Sequence, residues 1–425
     1  MYGKYVIKRT VSLSKISYIS VIASVVMLVI LGVMYPILSI GAMGICIIYM
    51  LMESNENALC LMFFLLPFAN IFKLGANSTS MYTYLSLVLS LKFLFSLKKI
   101  DQKFFFFWML LIIIQIVGCR SEVTLLIKQI EIPILIYGFC NVCTKITKGL
   151  TINLMLGIIC SCTVALFSDK LPGLSSYLRV VKAYELGIDN HRFTGLYTDP
   201  NYLTVAIILV CISMITLINQ KKIGKIGYVG CGLLLYFGML TISKSFFLML
   251  FVVYILFLKQ LFKKKKYFSS VVLLIALLIV FILMLNGKIS IFDSFINRLM
   301  YSDDITTGRS TIWMIYIKYI IKHPINMIFG NGIGAESLGY LAHNTYIDFI
   351  YYYGIIGTVL FLAIIKRSVK FQAASKKVDN FGPAICFGML SFFLSNLIMY
   401  DFPFMIIFVL NHLRESDIGS TVKEM

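Results

Sequence analysis

Charge is scarce in this chain: Asp, Glu, Lys and Arg make up only 13% of its 425 residues, while 60% are hydrophobic. A soluble domain of that length would expose far more polar surface, so a soluble fold is excluded. Histidine is rarer still, with four copies. Acidic residues number 19 against 38 basic ones. Cysteine is absent from both long polar segments, 168–196 and 287–343, so neither carries a disulfide framework. The one CxxC, Cys140 to Cys143, stands alone without the second pair that a zinc site needs. No internal repeat is visible, in contrast to the paired halves of many transporters.

Long apolar runs dominate what remains, and the mean hydropathy is +0.90. About 20 apolar residues at 1.5 Å rise cross the hydrocarbon layer. Such runs recur from 16–34 to 402–413 and predict an all-α polytopic membrane protein with about 12–14 transmembrane helices, in a single domain over 1–425. The first run follows a basic segment but shows no small-residue cleavage site, so it is expected to remain as a helix. With both termini placed in the cytoplasm, Lys and Arg fall on the inner side about twice as often as on the outer. The excess of positive charge then sets orientation and contact with acidic lipid, and gives no reason to invoke nucleic acid. The two polar segments, 168–196 and 287–343, are then both extracytoplasmic. A loop as long as the second is expected to be functional or to hold structure of its own.

Part of that loop has helical periodicity. In "GRSTIWMIYIKYIIKH", a helix is expected over 309–322, ended by Pro324. At 100° per residue, Arg309, Trp313, Tyr316 and Ile320 share one face, while Thr311, Lys318 and Lys322 share the opposite one. An apolar face with Trp and Tyr suits the membrane interface. Arg309 on that face is either a first-turn residue that snorkels to water or a guanidinium aimed at an anion. The segment "FGNGIGAESLG" (329–339) does not sit between a strand and a helix, so it reads as a flexible turn and not as a phosphate cradle. Asp303 and Asp304 form an acidic pair of the kind that a metal could use, but two adjacent acids in a polar loop are ordinarily just solvated.

At "LAHNTYIDFIYYYGIIG" (341–357), the loop re-enters an apolar helix expected over 344–365. Asn344 and Asp348 lie one turn apart, and His343 stands at the helix start. Free N–H groups there favour an anion. His343 suits an oriented base with an acid one turn away, and equally a helix cap among aromatic neighbours. Lys128 and Glu131 lie three apart within an apolar run, which suits an internal ion pair or the wall of a wet cavity.

Three stretches in order, "RFTGLYTDPNYLT" (192–204), "GRSTIW" (308–313) and "HNTYIDFIYYYGIIG" (343–357), resemble the superfamily of O-antigen ligases and Wzy-type repeat-unit polymerases. "TISKSFFLML" (241–250) is similar to the family's Ser-Arg segment, with Lys244 where arginine is usual. The resemblance implies a GT-C-like helical fold in the bacterial inner (cytoplasmic) membrane. It implies inverting glycosyl transfer at the outer face, with no metal and no cofactor. The donor would be an undecaprenyl-diphosphate-linked glycan. The acceptor would be a second lipid-linked unit for a polymerase of O-antigen or capsular polysaccharide, or the lipid A-core for a ligase; a polymerase is the leading expectation. A flippase or other transporter of lipid-linked glycan is the alternative from another class. A chain-length regulator and a flippase of the same pathway are implied partners. Carried onto this sequence, Arg192 and Arg309 hold the leaving diphosphate, with Lys244 in support. His343 activates or orients the acceptor hydroxyl, and Asp348 holds the imidazole. Asn201, Asn344 and Lys128 are further substrate-binding candidates, and Asp199 and Pro200 start the helix that positions Arg192.

Overall fold

The computed structural model describes residues 10–118, 123–143, 146–178, 181–182, 191–224, 226–263, 308–369, 381–395 and 401–413, with Lys265, Val271, Ile282 and Met399. The apolar run 268–286, which the sequence also predicts as a helix, lies outside the described residues apart from Val271 and Ile282, and so does the pair Asp303 and Asp304.

The described chain is helical, as its apolar runs dictate. The first half contributes α1 (Thr10–Gly32), α2 (Ile37–Met52), α3 (Asn55–Leu65), α4 (Met81–Ser96), α5 (Gln102–Gly118), α6 (Val123–Val142) and α7 (Thr147–Leu166). The second half holds α8 (Pro200–Asn219), α9 (Ile226–Leu240), α10 (Lys244–Lys263), α11 (Arg309–Lys322) and α12 (Pro324–Phe329). It ends with α13 (Thr345–Asp348), a π-helical turn (Phe349–Tyr353), α14 (Gly354–Ser368), α15 (Gly382–Ser391) and α16 (Phe402–Leu413). One departure from an all-helical chain is a two-residue antiparallel ladder that pairs Val181 with Arg192 and Lys182 with His191.

Among the described residues, three helices are long and apolar enough to cross a membrane: Thr147–Leu166, Pro200–Asn219 and the run Thr345–Ser368. Eight shorter apolar helices accompany them. The chain is a multi-pass helical membrane protein. The distribution of side chains agrees with that reading, because large apolar residues such as Ile37, Phe95 and Ile226 stand exposed. Several buried hydroxyls are satisfied within their own helices. Ser90 donates to the Ser86 carbonyl, Thr204 to Pro200 and Thr216 to Ile212. A hydroxyl that bonds back to the carbonyl four residues earlier leaves no polar group unpaired in an apolar layer.

α8 lies at the centre, packed against α7, α9, α10 and α15. All but three of its 20 residues are buried, as are all but one of the 12 residues of α16. α8 therefore fixes the position of whatever its N-terminus carries.

Candidate active site

The N-terminus of α8 is capped as the sequence predicts: Asp199 Oδ1 accepts from the Asn201 N–H at 2.7 Å, and Pro200 occupies the first turn. Proline costs nothing there, because the first N–H groups of a helix have no intrahelical partner. Asn201 Oδ1 in turn accepts from Ser243 Oγ at 2.7 Å and Ser245 Oγ at 3.3 Å. These two serines flank Lys244, the first residue of α10. The Phe193 N–H donates to the Leu240 carbonyl at 3.2 Å, and Arg192 Nε donates to the Thr241 carbonyl at 3.2 Å. The two motif segments, fifty residues apart, are thus laced together. Arg192, Asn201 and Lys244 belong to one cluster at one end of α8.

α11 builds the second wall. Its inward face is the one that periodicity identified. Trp313 Nε1 donates to the Ala342 carbonyl at 2.9 Å, and Tyr316 Oη donates to the Tyr340 carbonyl at 2.8 Å. Tyr316 is fully buried and meets the Tyr351 ring edge-on at 4.9 Å. Lys318 and Lys322 are exposed on the far side. The expectation of lipid contact through Trp313 and Tyr316 is corrected: that face is bonded to protein, and the apolar residues turned outward are Met314, Ile315, Ile317 and Ile321. Half-buried Arg309 precedes Trp313 by one turn and so lies beside the segment that Trp313 holds.

The glycine segment is a clasp, in contrast to the flexible turn expected from sequence. The N–H groups of Asn331 and Gly332 donate to the Tyr351 and Tyr352 carbonyls at 2.9 and 3.0 Å. A π-helical turn leaves such carbonyls without their usual i+4 donors. The approach is backbone against backbone. A Cβ on Gly330, where φ is +82°, would lie 2.3 Å from the Tyr352 carbonyl oxygen, and one on Gly354 would lie 2.3 Å from the Gly330 nitrogen. The Ile333 N–H is anchored by Gln115 Oε1 on α5 at 3.0 Å. Loop and re-entrant helix therefore form one unit.

At the mouth of that unit stands His343. The cap of α13 is Asn344, whose Oδ1 accepts from the Tyr346 and Ile347 N–H groups at 3.0 and 3.2 Å. Asn344 is thereby used in capping, and the imidazole of His343 is not. His343 adopts φ +48°, a left-handed conformation uncommon for a residue with a Cβ. Its N–H donates to Ser395 Oγ at 2.9 Å, and the Ser395 carbonyl accepts from Tyr202 Oη at 3.1 Å. The strained turn is thus held from α8 and from the segment that follows α15. Such strain gathers at functional positions, where the surroundings fix one geometry.

The imidazole is held below its ordinary value of 6.5, first by burial and then by the positive charge of Arg309, with Asp199 partly opposing. His343, Arg309 and Asp199 therefore form one electrostatic group. Asp199 is the acid that acts on the imidazole. The assignment of that role to Asp348 is corrected: its carboxylate bonds to Ser395, and its second oxygen is buried without a partner. Asp348 thus shares Ser395 with the His343 N–H and reaches the histidine through that serine, without contact with the imidazole.

Lys128 is found beside Glu131, as their spacing suggests. It lines a small cavity with Thr83, Ser86, Glu131 and Met399, and the acids that act on it are Glu131 and Asp401. It belongs to an internal charge cluster with Glu131 and Asp401. Two contributors escaped the sequence reading: Asp199 as a charge partner of His343, since it was read only as a cap, and Ser395. Asp199 carried a usable signal in its motif, because a capping carboxylate brings a full charge to the mouth that its helix faces. Ser395 carried none. Among the described residues, no three His, Cys, Asp or Glu side chains gather as metal ligands.

The arrangement offers a neutral imidazole for a proton and guanidinium groups for an anion, at the end of an apolar bundle. No curated protein and no solved structure matches the chain. A family model described as O-antigen ligase matches residues 229–362, which run from α9 through Lys244, α11 and the glycine clasp to α14. That match covers about a third of the chain, over segments that surround His343, and it supports a relationship to the O-antigen ligase (Wzy_C) superfamily.

Proposed function

We propose that the chain is a glycosyltransferase of the GT-C type that takes a glycan from undecaprenyl diphosphate at the outer face of a bacterial inner membrane. The observation that carries this reading is the His343 turn, at φ +48° and held by Ser395, with Arg309 and Asp199 as the charges that act on its imidazole. The acceptor hydroxyl gives its proton to the neutral imidazole and attacks the anomeric carbon. The C1–O bond to the diphosphate breaks with inversion, and the diphosphate leaves with the electron pair. Its oxygens gain charge as that bond breaks, and this is the charge that Arg309 and Arg192 hold with bidentate forks, with Lys244 as a point charge in support. A diphosphate is a good leaving group, so the step needs charge stabilisation more than a general acid. No step runs through a metal or cofactor. In this reading, the segments 168–196 and 287–343 are extracytoplasmic and both termini are cytoplasmic.

The matched family's description favours a ligase, which transfers the glycan to the lipid A-core, over a repeat-unit polymerase. The polymerase reading rests on the resemblance of the three outer stretches alone. Deletion of the gene, followed by electrophoresis of surface glycan, separates the readings. A rough core with lipid-linked polymer accumulating supports ligase. Single repeat units on the core support polymerase. Loss of all surface glycan, with units trapped inside, refutes both and supports a flippase.

A further inference from the structure

At the end of the bundle opposite His343, the C-terminal turn of α14 meets the connection between α4 and α5 and the second half of α6. The run Thr345–Ser368 has 24 residues, long and apolar enough to cross a bilayer, and Lys366 and Arg367 stand at its other end from His343. At the far end is a groove of about 850 Å³, a volume in the range of ligand sites. Three cations line it, Lys99, Lys366 and Arg367, against one carboxylate, Asp101, over an apolar floor that includes Leu362 and Ile365.

The groove is built on a fixed wall. Asp101 Oδ1 caps α5 by accepting from the Lys103 and Phe104 N–H groups at 2.8 and 3.1 Å. Its other oxygen is 3.6 Å from the Arg367 guanidinium. The Asp101 N–H donates to Tyr137 Oη at 2.9 Å, and the Tyr137 ring stacks on Phe104 at 3.8 Å. With Asp101 engaged in this way, positive charge is left in excess around the rim. An apolar track leads away from it: Ile355, Val359 and Leu362 are exposed on one face of α14, and Lys366 continues that face one turn later.

We propose that this groove binds an anionic phospholipid of the leaflet opposite the transfer site, with its phosphate among Lys99, Lys366 and Arg367 and an acyl chain along Leu362, Val359 and Ile355. A lone phosphate would leave the apolar track uncovered, and a zwitterionic headgroup would bring its own cation to a rim that already has an excess. Basic pockets between transmembrane helices take acidic headgroups for the same reason. The site is separate from the His343 mouth and needs no glycan.

The test uses the full chain purified in a neutral detergent, with mixed micelles that contain either phosphatidylglycerol or phosphatidylcholine. Lipid retention is read by native mass spectrometry and stability by thermal melting. Phosphatidylglycerol is expected to stay bound and to raise the Tm, and phosphatidylcholine to do neither. The double variant Lys99→Gln/Lys366→Gln should lose retention at least about tenfold while it elutes as a folded monodisperse peak, and Lys366→Arg should keep it. Lys318→Gln, at the other end of the molecule, should leave it unchanged. Equal retention of the two lipids, undiminished retention in the double variant, or the same Tm rise with inorganic phosphate alone would overturn the proposal. No donor is present, so the outcome is independent of the glycosyltransferase reading.

Discussion

Arg309→Lys separates charge from geometry at the mouth. Arg309 begins α11, and the bonds that dock this helix, from Trp313 to Ala342 and from Tyr316 to Tyr340, lie one and two turns further along. The substitution should therefore leave the docking intact, with a melting change within about 0.5 kcal/mol, as for a change away from the core. Lysine keeps the positive charge beside His343 but loses the planar fork that matches a diphosphate. Removal of one donor to a developing oxyanion costs about 2–4 kcal/mol, or roughly 30- to 1000-fold in rate. The assay is glycan transfer by purified protein from an undecaprenyl-diphosphate-linked donor, followed across pH. The rate should fall in that range while the acidic limb of the profile stays in place. Lys318→Ala on the exposed face is the control and should be nearly silent. Wild-type rate in Arg309→Lys, or an equal loss in Lys318→Ala, would reduce α11 to a basic surface element and move the anion site to Arg192 and Lys244.

The His343 imidazole must be neutral to accept a proton, and burial with Arg309 holds its pKa below 6.5; transfer should thus be lost as pH falls through a midpoint under that value. Arg309→Gln removes the positive charge and should move this limb to higher pH. Asp199→Asn removes the opposing charge and should move it lower, with little change in stability, because asparagine caps helices as well as aspartate; limbs that do not move would detach both residues from His343. His343→Gly relieves a left-handed backbone, which costs other residues about 1–2 kcal/mol. It should melt no lower than wild type yet transfer no glycan, and retained transfer would exclude the imidazole. Gly330→Ala places a Cβ 2.3 Å from the Tyr352 carbonyl oxygen at φ +82°. It should lower stability by at least about 1–3 kcal/mol, and an unchanged melting temperature would mean that the clasp is not structural.

Local pattern carried much of this architecture. Apolar runs located the helices, the Asp-Pro pair located the start of α8, and 100° periodicity found the inward face of α11, because each depends on neighbours within a turn or two. The errors have a common cause, which is pairing over long separations. Asp348 bonds to Ser395, and His343 is acted on by Asp199, each far along the chain from its partner. Neither partner leaves a trace in the spacing of its own segment. The glycine clasp was invisible for a related reason. It depends on carbonyls of a π-helical turn, and nothing in "FIYYYG" distinguishes that turn from an α-helix. Trp313 and Tyr316 were assigned to the correct face but to the wrong environment, since amphipathicity reports that a face is covered and not what covers it.

The central claim is that the His343 mouth transfers a glycan from a lipid diphosphate. The direct measurement is a single-turnover reaction of the purified protein with an undecaprenyl-diphosphate-linked glycan and an acceptor, in excess chelator, with free undecaprenyl diphosphate and elongated glycan quantified together. The account predicts that both products form in equal amounts with inverted anomeric configuration, and that neither forms with His343→Gln. Retention of configuration, a requirement for added divalent ion, or wild-type product from His343→Gln would contradict it.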